Sequence, residues 1–274
     1  SGKSYMDQAT VMNLSNADGA EVDLYAQWTA NLYSVEFDKN DPGAAGSMTA
    51  QQFTFDEAQF LKANAFTKTG YTFAGWNTVP DGSGTTYANK QTVKNLLTEA
   101  NGSMTLYAQW TPNHYNVAFD KNASDAEGSM LAQPFDYDKA QILTANAFTC
   151  TGYDFAGWCE NADGSGTVYA DRESVKNLTT DPYGIVTLYA QWEPHTYYVK
   201  FNPNNEAYMG SSTRQTFKYG IPQRLDPAFE LGGYLFNGWN TAPDGSGTSY
   251  FDMEEVVNLS STDKAVVNLY AQWL

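Results

Sequence analysis

The string Leu-Tyr-Ala-Gln-Trp ends at Trp28, Trp110, Trp192 and Trp273, so the same five letters recur at spacings of 82, 82 and 81 residues. In a chain of 274 residues this period leaves three near-identical units, 29–110, 111–192 and 193–274. Residues 1–28 precede them and match the closing part of a unit. Such a period excludes one continuous 274-residue fold and the two-domain plan common among enzymes of this length. A unit of about 80 residues can bury only a modest core. The chain starts without Met and in mid-repeat, and it reads as a piece of a longer protein.

Every unit opens with alternating residues: Tyr33-Val35-Phe37, Tyr115-Val117-Phe119 and Tyr197-Val199-Phe201. Period two predicts a half-buried strand with these side chains inward. A polar loop that differs between copies follows (38–48, 120–130, 202–209), then a second strand reaching Phe55, Tyr137 or Tyr219. From Asp56 the string D-E-A-Q-F-L-K-A-N-A-F, echoed from Asp138, is the one helix candidate. Asp56 would cap it, with Ala58, Phe60 and Leu61 as its apolar face. Pro222 and Pro227 exclude a long helix in the third unit. The shared element is therefore a short helical turn or an extended crossover.

Next comes T-G-Y-T-F-A-G-W (69–76), in which Trp76 falls out of phase with Tyr71 and Phe73. A bulge at Gly75 would restore the phase. The string P-D-G-S-G-T from Pro80 is turn chemistry and predicts a tight hairpin leading to Tyr87. The closing strand carries Leu106, Ala108 and Trp110 on one face. Five or six short strands and one helical crossover predict a β-rich α+β module.

Composition excludes several functions. Apolar residues at 42% and aromatics at 15% exclude disorder. No run of 18 apolar residues exists, so no spanning helix and no direct membrane insertion is expected. The net charge of −16 divides into −3, −2, −7 and −4 over residues 1–28 and the three units. Acidity in every unit argues against nucleic acid and anionic lipid as partners. Catalysis is equally poorly served. His114 aligns with Leu32 while His195 aligns with Asn31 and Asn113, and neither has a repeated Ser, Cys or acid at useful spacing. Both read as surface joint residues. Asp81, Asp163 and Asp244 each stand alone in their loops, whereas a calcium loop needs five or more oxygen ligands. No enzyme activity, cofactor or metal is expected.

The letters G-Y-T-F-A-G-W-N-T-x-x-D-G-S-G-T-x-Y, then N-L, then L-Y-A-Q-W, resemble the Listeria–Bacteroides repeat, the B-repeat type of internalin B. The resemblance covers 29–274 as three copies, with residues 1–28 as the second half of a fourth. It implies tandem β-grasp (ubiquitin- or SUMO-like) modules in an elongated array outside a Gram-positive cell, either on its surface or secreted. It implies a stalk or contact region with neither catalysis nor cofactor.

Within that frame a few residues are candidates for more than packing. The out-of-phase Trp76, Trp158 and Trp239 are possible contact residues. Asp120, Asp125 and Glu127, in the most acidic unit, would suit a basic partner. That partner would be a host or bacterial surface protein, or a glycan, bound through the variable loops. Cys150 and Cys159 occur in the second unit alone, where an extracellular setting would permit a disulfide. A straight strand between them would hold them too far apart, so a bridge and two separate thiols both stay open. The joints following Trp28, Trp110 and Trp192 span at most about 14 Å. Pro112 and Pro194 stiffen two of them, leaving the Ala30 joint the most flexible. Residues 1–28 should fray unless covered: they dock on the first unit, add a strand to a neighbouring chain, or mark a folding unit cut differently from the repeat.

Overall fold

The computed structural model describes residues 2–226 and 228–274; Pro227, one of the two prolines counted against a helix, lies outside the described residues. The chain divides into two compact units, Ser1–Phe66 with Ala74–Gln109, and Thr67–Phe73 with Trp110–Leu274. Among the described residues each copy of the repeat contributes seven strands. The first has β1 (Leu32–Asp38), β2 (Gln51–Thr54), β3 (Gln59–Phe60), β4 (Tyr71–Asn77), β5 (Thr86–Tyr87), β6 (Thr92–Val93) and β7 (Ser103–Pro112). The second has β8 (His114–Asp120), β9 (Gln133–Asp136), β10 (Gln141–Ile142), β11 (Tyr153–Cys159), β12 (Val168–Tyr169), β13 (Ser174–Val175) and β14 (Ile185–Pro194). The third has β15 (Thr196–Asn202), β16 (Thr213–Lys218), β17 (Gln223–Arg224), β18 (Phe236–Asn240), β19 (Ser249–Tyr250), β20 (Glu255–Val256) and β21 (Val266–Trp273).

Five strands of each copy form one mixed sheet, in the order β2-β1-β7-β4-β5 for the first. Its opening and closing strands are parallel neighbours, with Phe37 opposite Leu106, Phe119 opposite Leu188 and Phe201 opposite Leu269. The two remaining strands pair as a small ribbon, β3 with β6, β10 with β13, and β17 with β20. Alternation places Tyr33, Val35 and Phe37 in the core with Leu106 and Ala108, and the other copies repeat this. The buried Tyr hydroxyls of Tyr33, Tyr115 and Tyr197 accept the backbone N–H of Leu96, Leu178 and Leu259. A phenylalanine there would leave those amides without this acceptor.

The expected bulge is present. Pairing of β11 with β14 slips between Phe155 and Gly157, and Gly75 and Gly157 adopt φ of 140° and 134°. A Cβ at Gly157 would meet the Tyr169 carbonyl oxygen at 2.8 Å, so only glycine fits.

The helix is not formed. Among the described residues there is no helix, and the α+β class is corrected to all-β. Asp56 and Asp138 take left-handed φ of 65° and 63° and turn the chain instead of capping a helix. The segment that follows is held extended from both sides. It pairs with β6, while the Gln51 side chain donates to Phe60 O and accepts Lys62 N, both at 2.8 Å. Gln133 and Gln215 repeat this bracing. One amide side chain thus satisfies backbone groups as a strand would.

Residues 2–28 contain no strand, and their apolar side chains face solvent, Leu24 at 65% and Trp28 at 91% exposure. Docking against the first copy is not what the structure shows. Their backbone nevertheless repeats the copy-one pattern: Gln8, Asn13 and Gly19 are left-handed, as are Lys90, Asn95 and Asn101 one period later.

Candidate interaction surface

Each copy gathers its variable loop and its D-G-S-G turn at one end, through an asparagine. Asn40, left-handed at φ 56°, donates from Nδ2 to Pro80 O at 2.7 Å and to Ala108 O at 3.0 Å. Asn122 does the same to Ala162 O and Ala190 O, and Asn204 to Pro243 O and Ala271 O. The clamp fastens the loop after the opening strand beside the turn and the closing strand. Sequence reasoning missed it, although an asparagine at a fixed offset inside a divergent loop was a legible signal.

The turn itself is built by asparagine in two copies. Buried Asn77 donates from Nδ2 to Gly82 O, Gly84 O and Thr86 Oγ1, and its Oδ1 accepts Val79 N and Gly84 N. Asn240 makes the matching set. In the second copy the position is Cys159. There Glu160 accepts Thr167 Oγ1 and Tyr169 OH, and Asn161 bonds Ser165. Asp81, Asp163 and Asp244 accept the N–H of Ser83, Ser165 and Ser246, and the serine hydrogen bonds hold all three carboxyls below the usual range. These acids are occupied in shaping the turn. Among the described residues no group of three His, Cys, Asp or Glu could hold a metal ion.

The tryptophan candidates are corrected. Trp76 and Trp158 are fully buried and Trp239 is 1% exposed, so they pack the core and offer nothing to a partner. The bulge explains it, because it turns three consecutive residues of each strand inward. Phe119 and Phe155 both lie on Trp158, at ring-centroid distances of 4.8 Å. Of the two alternatives left open for the cysteines, the structure has separate thiols: Cys150 and Cys159 are both free and buried. Strand β11 runs between them, and its six residue steps separate Tyr153 from Cys159 by about 20 Å. Cys150 instead sits with Sγ 3.9 Å from Asp125 Oδ1, and burial, then that carboxylate, pushes its thiol up.

Asp120, which ends β8, and Asp125 and Glu127, on the loop that follows it, are exposed. Asp120 accepts Asn122 N at 2.7 Å, and Glu127 exchanges backbone hydrogen bonds with Thr149. The loop is therefore ordered by local bonds while its acids remain open to solvent.

The histidines lie at the joints, as expected, but they differ. His114 is exposed and its Nδ1 meets Asp136 within its own copy. Position 195 is a single residue between β14 and β15, and it ties two copies together. His195 N donates to Gly152 O at 2.8 Å, its Nδ1 lies 2.7 Å from Ser261 O, and its Nε2 lies 3.1 Å from Asp154 Oδ1. Lys218 and Glu193 add an ion pair at 3.0 Å. One period earlier Asn113 N donates to Gly70 O at 2.8 Å, Asn113 Nδ2 donates to Thr180 O at 2.7 Å, and Thr72 Oγ1 donates to Asn113 Oδ1 at 2.7 Å.

A chain of repeated sheets joined by one-residue links, with no helix among the described residues, is a tandem-repeat protein of the β class. The Listeria-Bacteroides repeat domain matches it at residues 33–109, 115–191 and 197–272, and the chain belongs to that family. A protein of Evansella cellulosilytica described as a Gly-rich membrane protein is 36% identical over 209 residues, covering 75% of this chain and 22% of that protein. Internalin H of Listeria monocytogenes is 33% identical over 141 residues, 50% of this chain and 21% of its own. The chain thus spans about a fifth of the length of these relatives. The Bacillus anthracis TIE protein is similar at a TM-score of 0.30 and 9% identity, over 90% of this chain and 51% of that one, which is too weak to compare folds. Among the described residues no helix is long and apolar enough to cross a membrane.

Proposed function

We propose that the chain is a non-catalytic extracellular segment that spaces and presents other parts of a bacterial surface protein. The observation that carries this reading is the joint between the second and third copies, one residue long and pinned by side-chain bonds on both sides. A spacer needs links that transmit orientation, and a one-residue link leaves few free dihedrals. Solution scattering on the 274-residue chain tests it: about 90–100 Å is expected if three modules lie in line, and a folded-over triplet rejects it. The sheet order, with opening and closing strands parallel at its centre, supports a β-grasp relationship in which a braced extended crossover replaces the helix.

The domain division is proposed as 29–110, 111–192 and 193–274, with residues 1–28 the closing half of a preceding copy. Their left-handed positions, one period before those of the first copy, support that assignment. Unpaired, the same segment is the proposed route to strand-mediated self-association.

A second reading is favoured by the clamped loops. Loops that vary between copies yet are fastened to a constant turn are suited to carrying specificity. Asp120, Asp125 and Glu127 would then meet a basic surface on a host or bacterial protein, or a glycan would bind beside them. Grafting loop 120–130 in place of 38–48 should transfer salt-sensitive binding to the first copy; binding indifferent to the graft rejects this reading.

A further inference from the structure

We propose that the joint between the second and third copies is a pH-operated latch, closed by protonation of His195 and held by Asp154 and Ser261, while the equivalent bridge at Asn113 is a neutral amide with no proton to gain.

The argument begins with donors and acceptors. The Ser261 carbonyl can only accept, so the imidazole nitrogen facing it, Nδ1, must carry a proton. The Asp154 carboxylate, 3.1 Å from Nε2, can likewise only accept, and a neutral ring has a single proton to offer the two. Two acceptors then face each other. Only the imidazolium donates to both, so the complete bridge from Ser261 through His195 to β11 of the second copy exists in the charged form alone.

The repeat supplies its own control. Positions 72, 113 and 180 of the earlier joint become 154, 195 and 261 in the later one. There Asn113 performs the same bridge with an amide, donating to the Thr180 carbonyl and accepting from the Thr72 hydroxyl. Asn31 keeps half of the pattern, donating to Thr98 O at 3.0 Å. The later joint has therefore exchanged a neutral bridge for a titratable one at two positions together, Asn for His and Thr for Asp.

The surrounding charges favour the closed form. Asp154 faces His195 from β11, and Asp263 approaches from the loop before β21, accepting Thr196 N and paired with Lys264 at 3.2 Å. Glu193, the register partner of Asp154, is held by Lys218. The Ser261 carbonyl, then Asp154 and Asp263, raise the His195 pKa, with burial opposing them. A raised value in the closed joint means the latch contributes fully below the ordinary histidine value of about 6.5 and is lost as pH rises through the raised one. The joint stiffens in acid and loosens above neutrality.

The test compares two amides in the intact chain. His195 N and Asn113 N each donate across a joint, to Gly152 O and Gly70 O, at the same 2.8 Å. Hydrogen-exchange protection, corrected for intrinsic rates, should fall at His195 relative to Asn113 by about 2- to 5-fold between pH 5.5 and 8. The pair H195N with D154T, which copies the neutral joint, should hold that ratio constant. A flat ratio in the native chain, or an equal fall in the double variant, overturns the proposal. Because Asp154 is largely exposed, D154N keeps the fold and should lower the His195 titration midpoint seen by ring-proton NMR. An unmoved midpoint overturns it as well.

Discussion

The D-G-S-G turn of the second copy and those of the first and third have the same letters and different construction. In the outer copies a buried asparagine, Asn77 or Asn240, stitches the turn from inside with five hydrogen bonds. In the middle copy Cys159 fills that place with a thiol, and the bonds move outward to Glu160 and Asn161 on the surface. The lesson is that a turn motif can stay constant while what enforces it migrates from the core to solvent, where each bond is worth less.

The largest effect should come from taking the inner stitch away. Asn240→Ala strands several buried donors and acceptors and should cost the third copy about 2–4 kcal/mol. Urea unfolding followed by amide signals of each copy would show it, and a loss below about 1 kcal/mol would mean the two turn designs are equivalent. Restoring the stitch is the converse. Cys159→Asn should stabilise the second copy by about 1–2 kcal/mol in the same assay, since the carbonyls it needs lie on a matching turn. No gain would show that Glu160 and Asn161 already replace it in full.

The smallest effect is a pH signature confined to the middle copy. Hydrogen bonds, first from Tyr169 and then from Thr167, hold the Glu160 carboxyl below its usual value. A lowered folded value means its contribution is complete above the ordinary carboxylate range and disappears as pH falls through the lowered one. Through this carboxylate, which the other copies replace with Thr78 and Thr241, acidification should weaken the second copy by a few tenths of a kcal/mol, and Glu160→Gln should remove that part. Burial, then Glu160, pushes Tyr169 up to about 12. Its contribution is therefore lost as pH rises from about 10 toward 12. Alkaline titration of Glu160→Gln should show one phenol ionising earlier than in the native chain.

Much of the fold could be read from the letters, because repetition separates what is structural from what is local. The inward face Tyr33-Val35-Phe37, the tight turn at Asp81 and the bulge at Gly75 are all written in short-range pattern. The helix expected from Asp56 misled because D-E-A-Q-F-L satisfies a helical period locally. What decides it is a side chain from another strand, Gln51, holding the backbone of Phe60 and Lys62 extended. Trp76 was misplaced for a related reason: alternation continued past a bulge points it outward, while the bulge points it in. The asparagine clamps and the joint bridges depend on partners 25 to 70 residues away, and no spacing rule reveals those.

The parallel pairing of opening and closing strands has a mechanical consequence. In the third copy Tyr198 through Asn202 lie beside Val266 through Tyr270, in register and running the same way. Tension applied through the two ends of a copy would drag these neighbours past each other in shear. Their ladder bonds then share the load and must fail together, whereas the pairing of β15 with β16 lies outside the line of force. A surface protein exposed to flow or traction would thus carry its strongest resistance at the centre of each sheet.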